Sequence, residues 1–148
     1  MGEFAVWLSR QQRGQVVGIM ITASHNPIGD NGIKIIMPNG EMMGEEYEAL
    51  LEDFANRLVE KLPCKERVAA CVALARDTRP SGPHLAALIG AAVEGQPGAR
   101  LLDWGLCTTP EAHAFVRFYN AERRGEEVKI EVLRQAYLDT LQVKETMA

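Results

Sequence analysis

Apolar runs of strand length alternate along this chain with amphipathic stretches of helix length, and this alternation limits the folds open to it. Four runs predict strands: Val16 to Ile21, Ile33 to Met37, Val68 to Ala75, and Ala99 to Asp103. Helices are predicted at Glu3 to Gln12, Glu45 to Leu62, Pro83 to Val93 with Ser81 as a cap, and Pro110 to about Tyr119. The expected fold class is α/β, a layered domain with a mixed sheet of about four strands flanked by helices.

One domain is expected over residues 1–148, because this length and an apolar content of 47% suffice for a single core. The last segment, Glu126 to Lys144, carries apolar residues at helical spacing after the charged stretch Glu122 to Gly125. We predict a helix within 126–148 that leads toward a domain junction.

Charge and composition exclude several classes of partner. Sixteen basic and twenty acidic residues give a net charge of −4, and no basic block is present, so nucleic acid is not an expected partner. The apolar runs are shorter than the ~20 residues that span a bilayer, so we expect no membrane association and a cytoplasmic location. Cys64, Cys71 and Cys107 lack disulfide or zinc-ligand spacing and are predicted to be reduced thiols.

The most unusual loop, Thr22 to Gly32, lies between the first two strands and contains Ser24. Pro27, which locks φ, and Gly32, which permits positive φ, are expected to fix its bends. As a hydrolase nucleophile Ser24 would need a base, but the adjacent His25 is poorly placed and no Gly-x-Ser-x-Gly elbow is present. Two interpretations of this loop remain: Ser24 carries a phosphate, or the loop is an ordinary turn without function.

Phosphorylated Ser24 would bring nearly two negative charges, which backbone amides, His25 and a metal could satisfy. Lys34, on the next strand, points to the same side as Ile36 and is a candidate for proton transfer. A lone lysine in a strand can equally belong to a solvated face.

Two segments in this region resemble the phosphoserine loop of the α-D-phosphohexomutase family, namely Ile21 to Pro27 and Asp30 to Lys34. The similarity continues through Gly40 to Met42, Ala75 to Ser81, and Asp103 to His113, and covers roughly residues 14 to 144. The last stretch looks most like the branch of the family that acts on N-acetylglucosamine phosphates.

The resemblance implies reversible transfer of phosphate between the 6- and 1-hydroxyls of N-acetylglucosamine, through a sugar bisphosphate, in UDP-N-acetylglucosamine synthesis. By this likeness Ser24 is the catalytic phosphoserine and a Mg2+ ligand, while His25 and Lys34 contact the phosphosugar and Lys34 also moves a proton. The likeness assigns loop support to four further residues: Asn26, Arg76, Asp77 and Arg79. Without it, the three charged residues of this group would be read as a surface ion-pair cluster.

Other motifs of the family are absent from the sequence: the Asp-Gly-Asp-x-Asp-Arg metal segment, the Gly-Glu-x-Ser-Gly sugar loop and the N-terminal Gly-Thr-x-Gly-x-Arg segment. The resemblance therefore implies most of the first of four domains, with almost no turnover alone and a tendency to self-associate. Two alternatives stay open: a piece of a phosphoglucomutase or phosphomannomutase, and a non-catalytic module that binds phosphosugars or a partner.

Overall fold

The structure, a computed structural model, describes residues 1–23, 25–56 and 68–127. Its helices and strands alternate in the predicted order. They are α1 (Gly2–Gln11), β1 (Val16–Ile21), β2 (Ile33–Ile36), α2 (Glu45–Ala55), β3 (Ala70–Arg76), α3 (Gly82–Glu94), β4 (Ala99–Leu106) and α4 (Thr109–Arg123).

The four strands form one mixed sheet in the order β2-β1-β3-β4. β1, β3 and β4 run parallel, whereas β2 pairs antiparallel with β1. The predicted fold class is thereby confirmed. Because the three parallel strands end at the same edge, the loops that follow them lie side by side.

Helices cover both faces of the sheet. Residues of β1 and β3 that alternate along each strand join a core with α1 and α3, in which Phe4 and Leu8 are fully buried. The opposite residues, among them Met20 and Ala75, pack against Val116 and its neighbours on α4. The result is a three-layer arrangement in which α1 is a core element.

The contact between β1 and α4 is unusually close at Gly18, where an ideal Cβ would lie 2.6 Å from Cγ2 of Val116. Asn120 on the same helix is 1% exposed and bonds to both main-chain groups of Val16, accepting from its N–H and donating to its carbonyl. Its amide also donates to the Pro38 carbonyl. α4 is thus held to the sheet by packing and by a buried hydrogen-bond cluster.

Most element boundaries differ from the prediction by one or two residues, and those of β4 and α4 by up to four. β4 runs to Leu106 because a bulge, which shifts the register between Leu74 and Ala75, and a positive φ of 65° at Gly105 let it continue past Asp103. α4 begins at Thr109 and continues to Arg123.

Ser81 stands at the N-cap of α3 but makes no side-chain capping bond there. Its hydroxyl accepts instead from the Asn31 amide. The predicted N-cap position is therefore correct, but the Ser81 side chain does not cap the helix.

Some predictions fall outside the described residues: Ser24, Cys64, the end of the second predicted helix beyond Asn56, and nearly all of the helix predicted at Glu126 to Lys144. Cys71 and Cys107 are free thiols. Within residues 1–23, 25–56 and 68–127, no helix is both long and apolar enough to cross a membrane.

Candidate functional site

The site is built at the edge of the sheet where the three parallel strands end. The backbone N–H of Asp77, after β3, donates to the carbonyl of Ile21 at the end of β1. The N–H of Cys107, after β4, donates in turn to the carbonyl of Arg76. These two bonds extend the ladder past the strands, so the three following loops start from fixed positions.

Arg79 ties the loop after β3 to the loop after β1. Its guanidinium donates to the carbonyls of Ala23 and Asn26, the latter at 2.9 Å, and to the carbonyl of Asp30 at 3.1 Å. Ala23 and Asn26 lie on either side of Ser24 and His25 in the sequence. One partly buried side chain therefore holds three backbone carbonyls of the loop that contains Ser24.

Asp77 completes this brace by binding both Thr22 and Arg79. Its carboxylate accepts from the Thr22 hydroxyl at 2.9 Å and from both the backbone N–H and the guanidinium of Arg79, at 3.0 and 2.8 Å. Burial alone would raise the pKa of Asp77, but these hydrogen bonds and the Arg79 charge hold that pKa below its ordinary value of 3.8. The carboxylate is thus ionised near neutral pH, and it accepts hydrogen bonds from Thr22 and Arg79.

Two further contacts shape the far end of the loop. The Asn31 amide donates to the Ser81 hydroxyl, and the Asn31 side-chain oxygen accepts from the N–H of Gly32. Gly32 is not among the glycines with positive φ, contrary to the prediction. Its small size matters instead, because an ideal Cβ there would lie 3.0 Å from the Thr22 carbonyl oxygen.

A cavity of about 780 Å³ opens at this edge. Side chains from all three strand ends and from the first turn of α4 line it, including Thr22, His25, Arg76, Thr78, Cys107 and Glu111. Burial raises the pKa of the Cys107 thiol, and the Glu111 carboxylate raises it further. The cavity lies at the carboxyl end of the parallel strands, where ligands bind in open α/β sheets.

The predicted site residues do not all meet in this cavity. His25 is exposed and lines it, and Arg76 and Asp77 line it too. Asn26 takes part through its backbone carbonyl. Lys34 is partly buried on β2 opposite Met20 and is not a lining residue, while Ser24 itself lies outside the described residues.

Sequence reasoning missed two parts of the site. Thr22, whose hydroxyl binds Asp77, was treated only as the start of the loop. The first turn of α4 carries a capping box between Thr108 and Glu111, which accept from each other's backbone N–H groups. The signal was present in the sequence as Thr108-Thr109-Pro110-Glu111, the threonine-to-glutamate spacing of a capping box.

The residues present do not form a magnesium cage. Within the described part of the chain, no three His, Cys, Asp or Glu side chains come together as a metal site. Asp77 and Glu111, the carboxylates of the cavity, already bind protein groups. A Mg2+ ion at this edge would need ligands beyond the described residues.

Comparison with known proteins bears directly on this arrangement. The family model described as phosphoglucomutase/phosphomannomutase, alpha/beta/alpha domain I, matches residues 5–62. A solved N-acetylglucosamine-phosphate mutase, a member of the α-D-phosphohexomutase superfamily in its product complex, superposes with a TM-score of 0.75 at 36% identity, over 82% of this chain and 25% of that one. The chain belongs to the α-D-phosphohexomutase family.

Other relatives of this phosphohexomutase chain agree with the assignment. Phosphoacetylglucosamine mutase 1 of Schizosaccharomyces pombe is 34% identical over 95% of this chain and 28% of its own length. The Aspergillus fumigatus N-acetylphosphoglucosamine mutase, solved with GlcNAc-6P and magnesium, is 38% identical with a TM-score of 0.74, over 86% of this chain and 25% of that one. The chain thus spans about a quarter of the length of the relatives that it matches.

Proposed function

We propose that this chain carries the phosphoryl-donor loop of a phosphosugar mutase, with Ser24 as the residue that accepts and gives up the phosphate. The observation that carries the proposal is the brace from Arg79 to the backbone on both sides of Ser24, at the rim of the cavity. Transfer of a phosphoryl group depends on positioning and on electrostatic stabilisation rather than on covalent chemistry of the protein. A loop held by its carbonyls offers that positioning.

The proposed step is a simple exchange of one bond for another. The bond from phosphorus to Oγ of Ser24 breaks as a bond forms from phosphorus to a sugar hydroxyl oxygen, and the hydroxyl proton leaves to a base. In the second half-reaction the other phosphate of the sugar bisphosphate returns to Ser24. Lys34 is the proposed proton-transfer group, and His25, exposed in the cavity, is the proposed substrate contact.

For the substrate we propose N-acetylglucosamine 6-phosphate and 1-phosphate, with a sugar bisphosphate as activator, in UDP-N-acetylglucosamine synthesis. The names of the relatives support this choice. A phosphoglucomutase or phosphomannomutase activity is the second candidate, favoured by the name of the matching family model. A Ser24 phosphate oxygen is the one Mg2+ ligand that we assign to this chain, on the strength of the magnesium complex of the Aspergillus relative.

Several expectations remain predictions. They are the single domain over residues 1–148, the helix at 126–148 toward a domain junction, self-association, and the cytoplasmic location. The last rests on the sequence alone.

The test is the intact mass of the purified chain before and after incubation with magnesium and glucose 1,6-bisphosphate. We expect the gain of one phosphate over a long incubation, because the bisphosphate can donate to Ser24 directly, although the chain alone is expected to react very slowly. Ser24→Ala should gain none, while the control variant Asn56→Ala, at an exposed position after α2, should gain phosphate as the unsubstituted chain does.

An equal gain in Ser24→Ala would place the phosphate elsewhere and contradict the carrier role. If Ser24 is phosphorylated in this way, which we call charging, three acceptors can then be compared: glucose 6-phosphate, mannose 6-phosphate and N-acetylglucosamine 6-phosphate. The comparison separates the two candidate functions. The acceptor that discharges the chain fastest identifies the sugar class.

A further inference from the structure

Arg76 occupies a different position from the other charged residues at this edge. It is the last residue of β3, paired with Ile21 on β1 and Leu106 on β4, and therefore stands between the ends of both parallel neighbours. It is partly buried and lines the cavity. Its Cδ lies beside the start of α3, 3.4 Å from an ideal Cβ placed on Gly82.

The guanidinium of Arg76 has no hydrogen-bond or ion-pair partner among the residues that the structure describes. Arg79, three residues on, binds three loop carbonyls and a carboxylate, and Arg10 binds the carbonyls of Val68 and Pro97. No described side-chain nitrogen or oxygen is both fully buried and unpaired, so the Arg76 nitrogens reach solvent. Its five donors are therefore available to a ligand.

The acidic groups around the cavity are already in use. Asp77 accepts from Thr22 and Arg79, and Glu111 accepts from the backbone N–H of Thr108. Neither carboxylate pairs with Arg76. The cavity thus contains a fixed positive charge that no described protein group neutralises, next to the loop of Ser24.

We propose that Arg76 binds a phosphate group of the phosphosugar directly, rather than bracing the serine loop as the sequence suggested. A planar guanidinium matches two phosphate oxygens at once, and such charge-assisted pairs are stronger than neutral hydrogen bonds. The inference rests on the proposed function, since it assumes that a phosphosugar enters this cavity. It divides the Arg-Asp-Thr-Arg segment into a ligand-binding residue, Arg76, and a loop brace formed by Asp77 and Arg79.

The test is calorimetric titration of the chain with glucose 1,6-bisphosphate, comparing Arg76→Gln with Arg100→Gln. Arg100 is exposed at the start of β4, at the opposite edge of the sheet. Arg100→Gln therefore removes the same charge as Arg76→Gln, but far from the cavity. We expect Arg76→Gln to weaken binding about tenfold or more, Arg76→Lys to weaken it less, and Arg100→Gln to leave it nearly unchanged. The urea midpoint of Arg76→Gln should match that of the unsubstituted chain, which a loop brace would not allow.

Equal affinity of Arg76→Gln and Arg100→Gln would overturn the inference, as would a lack of binding by the unsubstituted chain. The mass measurement separates this failure from failure of the proposed function. Charging of Ser24 with unchanged affinity in Arg76→Gln would reject the role of Arg76 alone. Loss of affinity in Arg76→Gln without any charging of Ser24 would keep the phosphate contact and reject the carrier.

Discussion

Arg79→Ala is expected to abolish the charging of Ser24 and to lower the free energy of unfolding by about 2–3 kcal/mol. The substitution removes the donors to three loop carbonyls and the guanidinium that pairs with Asp77. The side chain is 13% exposed, so these bonds are only partly screened by water. Urea denaturation measures the stability, and intact mass measures the charging.

A matched control is Arg124→Ala, which removes an exposed arginine that pairs with Glu126 and with Gln15 at the other edge of the sheet. This variant should charge normally and should unfold near the midpoint of the unsubstituted chain. Normal charging of Arg79→Ala would show that the brace is dispensable for the loop.

The brace also predicts a dependence on pH. Because the folded pKa of Asp77 lies below its unfolded value of 3.8, its contribution to stability is complete above that value and is lost as the pH falls through the folded pKa. Asp77→Asn should lack this contribution. The difference in urea midpoint between the two proteins should therefore shrink on going from about pH 5.5 to about pH 3.

Asn120→Ala is expected to cost about 3 kcal/mol of unfolding free energy. Its buried amide satisfies the N–H and the carbonyl of Val16 and also the carbonyl of Pro38. Alanine would leave these main-chain groups without partners in a buried site, and would also leave a small cavity beneath α4. Urea denaturation of Asn120→Ala and of the exposed control Asn56→Ala measures the difference.

A loss of less than about 1 kcal/mol in Asn120→Ala would contradict this account, because water would then replace the amide at little cost. The site at the other edge of the sheet should keep its geometry in either case. Affinity for glucose 1,6-bisphosphate measured well below the denaturation midpoint should therefore change little.

The elements that the sequence predicted well are those with a strong local signal. β1 was predicted with its observed bounds, since five apolar residues around Gly18 in a run of six favour a buried strand. β4 was predicted too short, because Asp103 and Gly105 look like a strand end in isolation. Only pairing with β3, through a bulge, carries the strand past them.

The site was predictable as a set of residues but not as a set of contacts. The sequence placed Arg76, Asp77 and Arg79 after one strand and the serine loop after another, and parallel strands bring such ends together. It gave no means to tell that Arg79 reaches the loop carbonyls while Arg76 does not pair with a described residue. Two arginines with the same chemistry differ here only in the path that the backbone takes after β3.

The measurement that tests the central claim most directly is discharge of the phosphorylated chain by N-acetylglucosamine 6-phosphate. The charged chain is mixed with this sugar phosphate and magnesium, and the protein mass and the small-molecule products are followed together. We predict that over a long incubation, as befits a chain with almost no turnover alone, the protein loses its phosphate as an equal amount of N-acetylglucosamine 1,6-bisphosphate forms. Phosphate that stays on the protein, or leaves as inorganic phosphate, would contradict the account of Ser24 as a carrier between phosphosugars.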